Sequence, residues 1–133
     1  MPRDHRKLRV FRIADQLIVD IYEITKVLPV EERYGLQSQI RRAALSTATN
    51  IVEGCARRTD REYGNFLNIA TGSAAEAGYL LTVAARLHFI SPAVAQSFDP
   101  RYRELIGSLV RLVGSIKPDN EMHTSPRPLE PEP

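Results

Sequence analysis

The chain lacks the features that would place it outside the cell or in a membrane. It has one cysteine, Cys55, in 133 residues, so no disulfide can form within it. No apolar run approaches the roughly 20 residues needed to span a bilayer, and no N-terminal stretch resembles a signal peptide. We therefore expect a cytoplasmic protein with no membrane partner, in which Cys55 is a small packing residue.

Motifs for catalysis and for metal binding are also missing from the sequence. It has no glycine-rich phosphate loop, nucleophile elbow, zincin helix or zinc-knuckle spacing of cysteines. The three histidines are scattered, at His5, His88 and His123, whereas di-metal bundles supply Glu-x-x-His motifs from two helices. We expect a protein that is not an enzyme and needs no cofactor or metal. A small hydrolase or metal-dependent enzyme is the less favoured alternative.

Basic residues are unevenly distributed along a chain whose net charge is only +2. Residues 117–133 hold two basic and four acidic residues, so residues 1–116 carry a net charge of +4. Besides a basic N-terminus, the clusters consist of Arg41, Arg42, Arg57, Arg58 and Arg61. Such clusters either bind phosphates with salt-dependent affinity or are solvated helix ends.

Apolar residues recur at the spacing of amphipathic helices, and start and stop signals divide them into four segments. On the first, third and fourth helices the predicted buried stripes run from Val10 to Leu28, from Tyr63 to Ala84 and from Tyr102 to Ile116. They include Leu17, Ile21, Leu67, Leu81, Leu105 and Leu109. Pro29 ends the first helix, a Thr59–Glu62 capping box begins the third, and Ser91-Pro92 begins the fourth. The predicted helices cover about 8–28, 34–54, 59–89 and 92–116. Asp99-Pro100 repeats the start signature, which predicts a kink or restart at residues 99–100.

Short links between these helices predict an all-α, antiparallel up-down-up-down four-helix bundle in one domain, residues 1–117. No alternating strand pattern competes with this fold. The proline-rich, polar segment 118–133 buries too little apolar surface to offset its ordering entropy, so we expect it to be extended or disordered.

Glycines occur within the predicted second and third helices. Gly54 is expected to close the second helix in the left-handed conformation. Gly72 and Gly78 each cost roughly 1 kcal/mol relative to alanine inside a helix. We interpret them as positions where a neighbouring backbone approaches closely.

The second helix is apolar or small around most of its circumference. One stripe contains Leu36, Ile40, Ala44, Thr47 and Ile51, and another contains Leu45, Ala48 and Val52. A surface helix of a small domain buries a single stripe. The pattern therefore predicts burial inside a bundle and again against a second copy of the chain.

Polar residues on the second and third helices lie at helical spacing beside apolar surface. They are Asn50, Glu53, Ser73 and Glu76. Antiparallel packing would bring the two pairs together, and buried polar groups persist when they are hydrogen-bonded. We predict a structural polar network that fixes the helix register, and keep a paired-carboxylate or metal site as the alternative.

The chain resembles a family of bacterial four-helix-bundle proteins encoded in intervening sequences of 23S ribosomal RNA genes. The matching motifs are Pro-Val-Glu-Glu-Arg-Tyr-Gly at 29–35, Gln-Ile-Arg-Arg-Ala-Ala at 39–44, Asn-Ile-Val-Glu-Gly at 50–54 and Arg-Arg-Thr at 57–59. The resemblance covers about residues 11–90. It implies a cytosolic protein without known catalysis, often assembled as a ring of five subunits. It also implies kinship with accessory proteins of diversity-generating retroelements, which bind nucleic acid.

Two functions follow as expectations. The first is a homopentameric protein that binds RNA or DNA backbones through Arg41, Arg42, Arg57, Arg58 and Arg61. The alternative is a structural or adaptor protein that binds another protein and uses these arginines in subunit contacts.

Overall fold

The computed structural model describes residues 3–116, and the regular structure of this part of the chain is helical throughout. Its four α-helices are α1 (Arg9–Ile24), α2 (Leu36–Cys55), α3 (Asp60–Arg86) and α4 (Pro92–Ser115). Short 3₁₀ turns occupy His5–Lys7, Thr25–Val27 and Val30–Glu32. No strand occurs within residues 3–116.

Side-chain caps fix two of the helix starts at the positions that the sequence predicts. The Thr59 hydroxyl accepts a hydrogen bond from the Glu62 amide at 3.1 Å, and the Ser91 hydroxyl accepts one from the Val94 amide at 3.1 Å. Each hydroxyl satisfies an amide that has no partner inside its helix. α1 ends earlier than predicted, because residues 25–27 tighten into a 3₁₀ turn before the extended residue that precedes Pro29.

Of the predicted kink or restart at residues 99–100, the structure excludes the restart. One helix runs from Pro92 to Ser115 with Pro100 inside it. Proline removes one amide donor from the helix ladder, but Phe98 and Tyr102 on either side are both buried. Core packing on both sides of Pro100 therefore holds the helix together across the missing hydrogen bond.

The helices pack as an antiparallel bundle in which each contacts its neighbours along the chain and α4 returns to α1. The Ser46 and Ser73 hydroxyls lie 2.8 Å apart across α2 and α3, and Arg9 reaches Glu104 across α1 and α4 at 3.1 Å. The core is built from the predicted stripes, including Leu17, Ile21, Ile40, Ile51, Leu67, Leu81, Leu105 and Leu109.

Gly54 has a different role from the predicted helix cap. It lies inside α2, and no glycine of the described chain has a positive φ. A Cβ at this position would lie 3.1 Å from the Phe66 Cβ and 3.3 Å from the Tyr63 carbonyl oxygen. Glycine suits this position because a side chain would require α3 to move away by a few tenths of an ångström.

Gly72 and Gly78 do not mark close approaches within the subunit. A Cβ at Gly72 would meet nothing within 4 Å, and one at Gly78 would make an ordinary contact of 3.6 Å with Tyr102. The predicted tail, residues 118–133, lies outside the described residues. Within the described part of the chain, no helix is long and apolar enough to cross a membrane.

Candidate nucleic-acid interface

Arg41 is held in place by contacts within the subunit. From α2 its Nε donates to the Thr25 hydroxyl at 2.9 Å, and its terminal nitrogen donates to the Tyr22 carbonyl at 3.1 Å. The guanidinium also stacks on the Tyr22 ring at 4.5 Å. Arg41 therefore donates to a carbonyl near the end of α1, where the last carbonyls lack partners inside the helix, and to the neighbouring Thr25 hydroxyl.

Arg57 is likewise engaged within the subunit. It pairs with Glu53, one turn earlier in α2, at 3.4 Å and lies over the Phe66 ring at 4.6 Å. Its carbonyl accepts a hydrogen bond from Arg3 at 3.3 Å. The exposed ion pair contributes little to stability, but these contacts orient the turn between α2 and α3.

The other three predicted arginines, Arg42, Arg58 and Arg61, are exposed. None of them forms an ion pair with another residue of the described chain. Arg58 and Arg61 lie at the turn between α2 and α3, whereas Arg42 lies near the start of α2. The structure therefore separates the five predicted arginines into two locations.

A basic end of the bundle forms where the N-terminal segment meets the turn between α2 and α3. Arg3 reaches across to Asp60, with which it forms an ion pair, and stacks on the Tyr63 ring at 4.0 Å. This contact joins the N-terminal turn, which carries the exposed Lys7, to the turn that carries Arg58 and Arg61. The exposed Arg12 lies in the first turn of α1, at the same end of the bundle, beside α4. We call these last four residues the basic end.

The predicted polar network has different members in the structure. Asn50 donates to the Ser46 hydroxyl at 3.0 Å, and Ser46 in turn contacts Ser73, so Ser46 is the link between the helices. Glu53 pairs with Arg57 instead. Glu76 is exposed and makes no hydrogen bond within residues 3–116. The carboxylates stay in water because burying a charge without a partner is costly.

Cys55 and the metal-ligating side chains bear on whether this part of the chain holds a thiolate or metal site. Cys55 is buried, and burial raises the pKa of its thiol, which disfavours the reactive thiolate. No cluster of three His, Cys, Asp or Glu side chains within residues 3–116 has the arrangement of a metal site.

Comparison with known proteins identifies the family. The profile of the 23S rRNA-intervening sequence protein family matches residues 6–111. The chain belongs to this family. No curated protein matches it. A crystal structure of a protein of unknown function from the S23 ribosomal protein family of Bacteroides thetaiotaomicron has a similar fold, with a TM-score of 0.74. That alignment has 24% identity and covers 80% of this chain and 99% of the other.

Sequence reasoning missed two residues that organise this intervening-sequence protein. Ser46 is not among the predicted network residues, although its spacing of four from Asn50 is the signal for a contact along the helix. Arg3 contacts Asp60 across 57 positions of sequence, and no local pattern predicts a pair so distant. Its role is visible only once α1 is packed against the turn between α2 and α3.

Proposed function

We propose that this intervening-sequence protein is a cytoplasmic, non-enzymatic homo-oligomer that binds RNA or DNA backbones through its basic end. One observation carries the proposal. Lys7, Arg12, Arg58 and Arg61 come from two distant parts of the sequence, are exposed at one end of the bundle, and form no ion pair with described residues. Unpaired cations at one surface attract phosphates and release their counterions.

Assembly would strengthen a surface that is weak in one subunit. A ring of five copies, as the family resemblance implies, presents the basic end five times to one polyanion. Linked sites raise avidity without any new kind of contact. The resemblance to accessory proteins of diversity-generating retroelements supports the same class of ligand.

Titration of a labelled RNA and a labelled DNA at rising salt tests this proposal. We expect binding at low salt and a linear fall of log affinity with log salt concentration. Arg58→Ala and Arg61→Ala should each reduce the salt slope by about one. Arg86→Ala is the matched control, since Arg86 is an exposed arginine at the opposite end of α3. Undetectable binding at low salt would contradict the proposal.

The alternative function is a structural or adaptor protein that binds another protein. It is favoured by the contacts of Arg41 and Arg57, both of which form interactions within the subunit. Exposed apolar side chains such as Ile69 and Tyr79 offer a surface for protein contacts. Loss of assembly in an Arg42→Ala variant, with no nucleic-acid binding by the wild type, would support this alternative.

A further inference from the structure

A basic and aromatic cleft lies away from the basic end, between the end of α1 and the start of α2. It has a volume of about 400 Å³, which is within the range of small-molecule sites. The residues that give it its character are Tyr22, Arg33, Tyr34, Gln37, Arg41 and Arg42. No carboxylate from the described chain lines it, so the charge of its three arginines is not neutralised inside the cleft.

Two side chains on the floor of the cleft are fixed by hydrogen bonds within the subunit, without a ligand. Arg41 is fixed by the Thr25 hydroxyl and the Tyr22 carbonyl, while Gln37 donates to the Thr25 carbonyl at 2.9 Å. The Arg41 guanidinium carries five N–H groups, and these two hydrogen bonds use only two of them. The remaining donors belong to a cation whose position is already set, which lowers the entropy cost of binding an anion.

The rim of the cleft is formed by exposed basic and aromatic residues of the linker between α1 and α2 and of α2 itself. Tyr34 is 89% exposed, and Arg33 beside it and Arg42 across from it are also exposed. Neither arginine forms an ion pair with a described residue. An exposed aromatic ring flanked by free cations is the combination with which proteins hold unpaired bases and their phosphates.

We propose that this cleft holds one nucleotide of a single-stranded nucleic acid. The phosphate lies against Arg33, Arg41 and Arg42, and the unpaired base stacks on the Tyr34 ring. A base inside a duplex has both faces covered by its neighbours, so the cleft selects single strands. The inference rests on the proposed function for its ligand class, but it uses residues outside the basic end.

Fluorescence anisotropy with a labelled 12-nucleotide single strand and its duplex separates the two sites. Tyr34→Ala should weaken single-strand binding about tenfold, because stacking is lost, and should leave duplex binding unchanged. Tyr34→Phe should retain the wild-type affinity, since it keeps the ring. Val30→Ala is the control for exposure, because Val30 lies in the same linker and is 67% exposed. Equilibrium dialysis with adenosine monophosphate tests whether a free nucleotide suffices.

The outcomes distinguish this inference from the proposed function. Oligonucleotide binding that Tyr34→Ala leaves unchanged overturns the cleft and leaves the basic end standing. Binding of adenosine monophosphate that is lost in Tyr34→Ala, with no oligonucleotide binding, would limit the cleft to free nucleotides and overturn both its assignment to single strands and the proposed function. If none of the three probes binds, both the cleft and the proposed function are overturned.

Discussion

At the scale of single residues, Arg41 forms hydrogen bonds with groups at the end of a neighbouring helix. The last carbonyls of α1 have no partners inside that helix, and Arg41 supplies donors to one of them and to the buried Thr25 hydroxyl. Thr25 has no exposed surface and also donates to the Ile21 carbonyl at 2.7 Å. One arginine therefore connects α2 to the final turn of α1.

Replacing this arginine should destabilise the fold. We expect Arg41→Ala to lower the free energy of unfolding by about 2 kcal/mol, because hydrogen bonds from a charged donor are lost. Arg42→Ala should change it by less than about 0.5 kcal/mol, since the neighbouring arginine is exposed. Urea denaturation of both variants measures the difference. Equal stability of the two variants would show that the Arg41 contacts contribute nothing.

At the scale of the helices, the contact between α2 and α3 depends on one position without a side chain. Gly54, near the end of α2, packs against Tyr63 and Phe66 in the first turns of α3. A glycine inside a helix is normally unfavourable relative to alanine. Here the close approach of the two helices outweighs that cost. Farther along the same two helices, the Ser46 and Ser73 hydroxyls form a hydrogen bond.

A matched pair of glycine substitutions tests this contact. Gly54→Ala should lower the free energy of unfolding by about 1–3 kcal/mol, because the added methyl group overpacks the interface. Gly64→Ala should raise it by about 0.5–1 kcal/mol, since its Cβ would make an ordinary 3.8 Å contact with Ile116 and alanine favours the helix. Thermal unfolding followed by circular dichroism measures both. Stabilisation by Gly54→Ala would contradict the close approach.

Periodicity and capping predict the helices well because these signals act over one or two turns. The Thr59 and Ser91 caps and the α3 stripe from Tyr63 to Ala84 lie as predicted. The predicted restart at Pro100 and the predicted helix cap at Gly54 are wrong because packing against other helices overrides their local preferences. Arg41 and Arg57 were expected in one ligand surface because sequence spacing does not reveal which helix end each cation faces.

At the scale of the whole molecule, the apolar surface left open by the bundle lies on α3 more than on α2. Ala48 is buried inside the subunit and Val52 is partly buried, so of their stripe only Leu45 is left exposed, at 38%. On α3, Ile69 is 51% and Tyr79 is 61% exposed on one face. Gly72 lies between them on this face with open space around it. Helical spacing puts these three residues on one outward face of α3, together with the exposed Glu76. The apolar part of this face suits contact with a second subunit.

We expect light scattering to give a mass that is a multiple of the 15.0 kDa subunit, with about fivefold that mass for a ring of five. Ile69→Lys should reduce the mass, because a charge in the stripe would lose its water on assembly. Val110→Lys is the control, since Val110 is similarly exposed, at 56%, but lies on α4. A wild type that is monomeric at every concentration would contradict assembly. It would also contradict the argument that several copies of the basic end bind one nucleic acid together. A mass that falls equally in both variants would place the subunit contact somewhere other than the α3 stripe.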